Sequence, residues 1–197
     1  MNRYYNPVRT VEGDGCLSRL PEVLVEMALP EKRVLVLAWS RQALEHPAVA
    51  ALLEKDSGFQ AKGVVFTASN PTVEQLFQVW QETQDFAPEA VVAIGGGSVL
   101  DVGKSLCCLY GRDLKSVQDV REAVAGGKLR PAARWIGVPT TAGTGSEVTC
   151  WATIWDPSQD AKRSVECHEN YAWAAVVDSD LTKGMPLKLA VSSGLDA

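Results

Sequence analysis

A chain of 197 residues with 46% hydrophobic content fills the core of one sizeable α/β domain, with or without an incomplete appendage, and this excludes a wholly disordered protein. Its 19 basic and 24 acidic residues give a net charge of −5 and are dispersed, so there is no basic stripe for nucleic acid or an anionic membrane. No segment reaches 18 consecutive apolar residues and Met1 to Thr10 is polar, so a soluble, cytoplasmic protein is expected.

Asn6 to Gly15 reads as an extended arm ending in a glycine-rich turn. Leu17 to Met27 carries apolar residues at 17, 20, 24 and 27 and predicts a helix with one buried face, stopped by Pro30. Arg33 to Trp39 is a continuous β-rich run, the pattern of a strand covered on both faces. A helix over residues 41–57, interrupted at His46-Pro47, and a strand from Ala61 to Thr67 follow. Thr72 to Phe86 predicts a helix with Val73, Leu76, Phe77, Val79 and Trp80 on its apolar side. Ala90 to Ile94 is a third buried strand, running directly into Gly95-Gly96-Gly97-Ser98. This alternation implies a parallel sheet with right-handed crossover helices.

Val99 to Tyr110 predicts the next helix, residues 111–130 a more polar excursion, and Trp135 to Pro139 a short strand leading into the loop Thr140 to Ser146. Val148 to Trp155 reads as extended, Asp156 to Ala161 as a turn, and Ala174 to Asp178 as a further strand. A last helix begins at Leu187, and a chain ending at Ala197 within a structured element reads as an excised or truncated domain. The cysteines, at 16, 107, 108, 150 and 167, are odd in number and lack paired metal or redox spacing; they read as reduced thiols.

The strongest chemical signal is Ile94-Gly95-Gly96-Gly97-Ser98, because it lies between a buried strand and a helix. Glycines there let several N–H groups converge on an anion, and the helix adds its free amides and the positive end of its dipole. A diphosphate fits such a site. Asp101 and Lys104 follow on one face of that helix, where they either serve a ligand or pair with each other. The pattern is neither the usual dinucleotide fingerprint nor a P-loop, which disfavours nucleoside triphosphates.

Pro139 to Thr149 is a second signal, with hydroxyls and glycines after another strand. Both loops fall on the sheet edge where open α/β folds bind ligands. Asp196 is a candidate metal ligand, but one carboxylate needs partners, and the chain has only His46 and His168. Cys167, His168 and Glu169 are adjacent and do not all face one ion. Ser146 lacks the Gly-x-Ser-x-Gly setting of a hydrolase nucleophile, and the six tryptophans have no stacking spacing and read as core or interface residues.

At these residues the sequence resembles the iron-containing, group III alcohol dehydrogenase family. The segments that carry the resemblance are Gly95-Gly96-Gly97-Ser98-Val99-Leu100-Asp101-Val102-Gly103-Lys104 and Pro139 to Thr149, with Val177-Asp178 and Gly194-Leu195-Asp196-Ala197 in order behind them. The resemblance implies a parallel-sheet, Rossmann-like nucleotide-binding domain of the dehydroquinate-synthase-like type over residues 1–186, and the start of an all-helical metal-binding domain over 187–197. It implies that Gly95, Gly96, Gly97 and Ser98 cradle a pyrophosphate and that Asp101 lines the nicotinamide end. Thr140, Thr141, Thr144 and Ser146 would contact phosphates and ribose, Lys162 would reach a cofactor hydroxyl, and Asp196 would be a metal ligand.

The implied reaction is hydride transfer between NAD(P)(H) and an alcohol or aldehyde, assisted by Fe(II) or Zn(II) in a complete protein; the chain alone is expected to be inactive and not to hold the ion. Ala38-Trp39-Ser40 stands where many members place an aspartate for the adenine ribose, so Trp39, Ser40 and Arg41 leave NADP open beside NAD. Asn6-Pro7-Val8-Arg9 together with this altered loop is similar to the branch that reduces phosphonoacetaldehyde-type aldehydes. Two other readings stay open: a non-catalytic nucleotide-binding module, and an enzyme of the glycerol-dehydrogenase or dehydroquinate-synthase kind. The expected partners are a small alcohol or aldehyde, with a homo-oligomer open and neither nucleic acid nor membrane.

Overall fold

In the computed structural model, described here for residues 6–197, the apolar runs become a six-stranded parallel sheet with a separate antiparallel hairpin. The strands are β1 (Arg9–Glu12), β2 (Arg33–Ala38), β3 (Gln60–Val65), β4 (Ala90–Gly95), β5 (Arg134–Pro139) and β8 (Ala174–Val177), in the order β1-β8-β5-β4-β2-β3. β6 (Trp151–Asp156) and β7 (Ala161–Glu166) form the hairpin. The helices are α1 (Leu20–Glu26), α2 (Arg41–Leu44), α3 (Pro47–Leu53), α4 (Val73–Thr83), α5 (Gly97–Leu109), α6 (Val117–Ala125) and α7 (Leu187–Leu195). This is the parallel sheet that the strand–helix alternation predicts, in the Rossmann-like arrangement that the family resemblance implies.

Strand periodicity explains why the sheet is covered on both sides. Leu35, Leu37, Val91, Ala93 and Trp135 point into a core shared with α4, α5, α6 and the hairpin. Their neighbours Val34, Val36, Val92, Ile94 and Ile136 point into a second core with Leu17, Leu20, Leu24, Val49 and Leu52. Gly103 lets α5 lie close on β4, since a Cβ there would stand 2.8 Å from that of Ala93.

Four sequence expectations change. The arm contains β1, which pairs in parallel with β8 and closes that edge of the sheet. The first predicted helix divides into a 3-10 turn (Cys16–Arg19) and α1, whereas the 41–57 helix breaks at His46-Pro47 as expected, into α2 and α3, with the His46 ring accepting from Ala48 N. The polar excursion over 111–130 holds α6, started by a capping box in which Ser116 accepts from Asp119 N while the Asp119 carboxylate accepts from Ser116 N. The stretch after the 157–159 turn is strand β7.

The hairpin is fixed to the helical layer by charge. Asp156, with no exposed side-chain surface, accepts from Arg121 Nε (2.9 Å), Arg121 Nη2 (3.0 Å) and Arg163 Nε (2.7 Å), and Arg121 also reaches Glu74 of α4 at 2.7 Å. No helix among the described residues is long and apolar enough to cross a membrane. α7 exposes Leu187, Leu189, Val191 and Leu195.

Candidate cofactor-binding site

β2 leads outward to β3, while β4 lies on its other side, so the direction of winding reverses between β2 and β4. Ligands of open α/β sheets sit at the carboxyl ends of such a pair. Here that edge carries Trp39 and Ser40 after β2 and the glycine run after β4, with Trp39 N donating to Ile94 O at 3.0 Å.

α5 starts from Gly96 without a side-chain cap, so the first-turn amides of Gly97 and Ser98 stand at the open helix end. The second loop presses against the first. Thr140 N donates to Gly95 O at 3.0 Å; a Cβ on Gly96 would stand 3.3 Å from Thr141 Oγ1, and one on Gly97 would stand 3.0 Å from Thr144 Oγ1. The lack of side chains at these glycines lets the two loops approach closely, and the result is a cradle of amides and hydroxyls suited to phosphate oxygens.

Beside this cradle lies a cleft of about 590 Å³ lined by Gly97, Ser98, Asp101, Thr144, Ser146, Lys162 and Asp196. The structure thus brings seven of the sequence-predicted residues to one cavity. Gly95, Gly96, Thr140 and Thr141 form the adjoining loop pair, while Trp39 and Ser40 stand further along the same edge. Ser40 Oγ caps α2 by accepting from Ala43 N, and Trp39 is 43% exposed.

Sequence reasoning singled out Thr149 in the second loop but missed the rest of the other wall of the cleft, formed by Asn70, Pro71, Trp151, Thr153 and Trp155. The signal was available as alternation, because Ala152, Ile154 and Asp156 are buried while Trp151, Thr153 and Trp155 fall on the opposite face. Asn70 N donates to Ser98 Oγ at 3.2 Å and Trp155 N donates to Pro71 O at 2.8 Å, which joins this wall to the cradle.

Of the two readings of Lys104, pairing within the protein is the one observed. Its side chain is fully buried, and Nζ donates to Trp151 O (2.6 Å) and Thr149 Oγ1 (3.1 Å) and lies 3.4 Å from Asp101 Oδ1. With all three donors engaged and the ammonium 5.4 Å from the Trp135 ring centroid, it has nothing left for a phosphate. Burial pushes its pKa down and the Asp101 carboxylate opposes that shift. Asp101 in turn accepts from Ser146 Oγ (2.7 Å) and Thr153 N (2.9 Å), so one carboxylate ties α5, the second loop and β6 together at the edge of the cleft.

Asp196 is exposed at the rim, and no group of three or more His, Cys, Asp and Glu able to hold a metal occurs among the described residues. One carboxylate does not make a metal site, so the described residues do not by themselves fit an iron or zinc ion. Cys150 Sγ and His168 Nδ1 lie 3.9 Å apart, away from this cleft.

The chain is 32% identical over 143 residues to an NADPH-dependent butanol dehydrogenase of Clostridium saccharobutylicum, covering 73% of this chain and 37% of that protein. It is 37% identical over 130 residues to a phosphonoacetaldehyde reductase of Streptomyces viridochromogenes, covering 64% and 33%. Among solved structures, sulfoacetaldehyde reductase from Bifidobacterium kashiwanohense in complex with NAD+ superposes with a TM-score of 0.82 at 27% identity, covering all of this chain and 51% of that one. The chain therefore spans about half or less of the length of these relatives. The model of iron-containing alcohol dehydrogenases matches residues 7–179, and the chain belongs to that family.

Proposed function

We propose that this chain is the cofactor-binding part of an alcohol dehydrogenase or aldehyde reductase, with residues 1–186 holding NAD(P)(H) and 187–197 opening the metal-bearing segment. The observation that carries the reading is the interlocked loop pair, in which Gly96 and Gly97 leave room for Thr141 and Thr144 at an uncapped helix end. When bound, the nicotinamide supplies hydride exchange with an alcohol or aldehyde carbon.

The chain's own residues bind and orient. Gly97 and Ser98 amides take diphosphate oxygens, aided by the helix dipole. Thr140, Thr141 and Thr144 offer hydroxyls along the same line, and Lys162 offers an ammonium to ribose or phosphate oxygens. Asp101 and Ser146 hold the loop and hairpin at fixed separation. No step is assigned to a metal, since Asp196 stands without further ligands among the described residues.

Two finer readings belong to this proposal. The absence of a carboxylate at Trp39-Ser40, with Arg41 next in sequence, removes a repulsion against a 2′-phosphate and favours NADP(H). The relatives named for phosphonoacetaldehyde and sulfoacetaldehyde support an anionic short-chain aldehyde as substrate, on a dehydroquinate-synthase-like scaffold.

A titration of the 197-residue chain with NADPH and with NADH, followed by tryptophan quenching, tests the cofactor reading. Saturable binding with NADPH the tighter ligand is expected. Folded protein that binds neither would remove the proposal, and tighter NADH would remove the assignment of the loop after β2.

A further inference from the structure

The face that the β6–β7 hairpin turns to the cleft has a chemical character that the diphosphate cradle does not account for. Cross-strand pairing sets Trp155 opposite Lys162, Thr153 opposite Ser164 and Trp151 opposite Glu166. Because Ala152, Ile154, Asp156 and Val165 are buried on the other face, the two indoles and the lysine stand together at the cavity. Trp155 is 39% exposed and Trp151 is 54% exposed, an unusual amount of open indole for side chains that merely fill a core.

Trp155 and Lys162 are in direct contact. Lys162 Nζ lies 5.3 Å from the centroid of the Trp155 ring, within the range of a cation–π interaction. Among the described residues Lys162 enters no ion pair. A lysine on a flexible stem loses rotamer freedom when it grips a ligand, and a surface that already holds the ammonium reduces that loss.

We propose that Trp155 is a positioning residue of the cleft, holding the Lys162 ammonium over the cavity so that an oxygen-rich anionic ligand meets a preset cation. The inference rests on the NAD(P)(H) reading above and adds a residue to it. Trp155 is suited to the task because its backbone is fixed independently. Its N–H donates to Pro71 O, so replacing the indole leaves the hairpin's attachment to the β3–α4 connection in place.

The test is calorimetric titration of the full 197-residue chain with NADPH in four forms: unmodified, Trp155→Leu, Lys162→Met, and the double variant. If the indole acts through the ammonium, each single change weakens binding about three- to fivefold and the double variant is no weaker than the worse single one. Trp155→Phe, which keeps a weaker aromatic face, recovers most of the affinity. Trp151→Leu combined with Lys162→Met serves as the control pair, and its factors multiply. An unchanged Trp155→Leu, or factors that multiply for Trp155 and Lys162, would overturn the positioning role. If Trp155→Leu lowers the thermal midpoint, Trp155→Met takes its place in the cycle with Lys162→Met, and factors that multiply there overturn the positioning role in the same way. Failure of the unmodified chain to bind NADPH would instead overturn the cofactor reading, and the inference with it.

Discussion

Gly97 and Asp178 show how single atoms set this site and this fold. A methyl group at Gly97 would meet Thr144 Oγ1 at 3.0 Å and intrude where phosphate oxygens are proposed to lie. Gly97→Ala is expected to lower NADPH affinity by roughly tenfold or more, while its cost in stability stays within about 1 kcal/mol, as its helical backbone suits alanine. Titration and thermal melting separate the two effects, and an unchanged affinity would mean the phosphates lie elsewhere. Asp178 accepts from Gly15 N (2.9 Å), Leu17 N (2.8 Å) and Asp180 N (3.0 Å), holding the turn after β1 to the end of β8. Burial acts to raise its pKa, but the three amides prevail and hold it below the ordinary carboxylate value. A depressed folded pKa contributes stability that is present above the unfolded pKa, near 4, and is lost as pH falls through the folded one. Acid titration of unfolding free energy should therefore show a loss below about pH 4 that is smaller in Asp178→Asn, which is itself less stable near neutrality by about 2 kcal/mol.

At the scale of elements, Lys104 is the joint on which α5, β6 and the second loop depend. Lys104→Met leaves Asp101 with its bonds to Ser146 and Thr153 but without the opposing charge, so a loss of about 3 kcal/mol is expected, partly recovered by adding Asp101→Asn. Denaturant melts of the three variants give the coupling, and strictly additive losses would mean the pair is not a unit. The buried strands and the two small-residue loops that follow β4 and β5 were legible because continuous apolar runs ending in glycine or threonine leave few alternatives. α6 was not, as its apolar face reduces to Val120 and Val124 within a charged stretch, and the Ser116-x-x-Asp119 start carries Asp in place of the usual Glu or Gln. β7 was hidden for a related reason. Only Val165 of its six residues is buried, and its charges are explained by Asp156 and the cleft, partners that no local pattern reveals.

For the molecule as a whole, the question is whether the hairpin unfolds with the sheet or ahead of it. It lies outside the sheet, yet Ala152, Ile154 and Val165 belong to the core shared with α4, α5 and α6, and Asp156 binds Arg121 of α6. One face of the parallel sheet, with its helices, therefore holds the hairpin, and local opening would separate Asp156 from Arg121, leaving Arg163 of the hairpin itself as its partner. The cysteines report on this directly. Cys150 and Cys167 flank the hairpin, Cys107 and Cys108 lie on α5, Cys16 lies in the opposite core, and all five are buried. Burial also pushes the Cys107 thiol well up and the Cys108 thiol up to about 12, so little thiolate forms in the folded protein. A thiol reagent at neutral pH should label none of the five rapidly, and along a urea series all five should become reactive at one midpoint that coincides with loss of helical signal. Labelling of Cys150 and Cys167 at lower urea than the other three would show that the hairpin opens independently, and the wall carrying Trp155 and Lys162 would then be a mobile flap rather than a fixed side of the cleft.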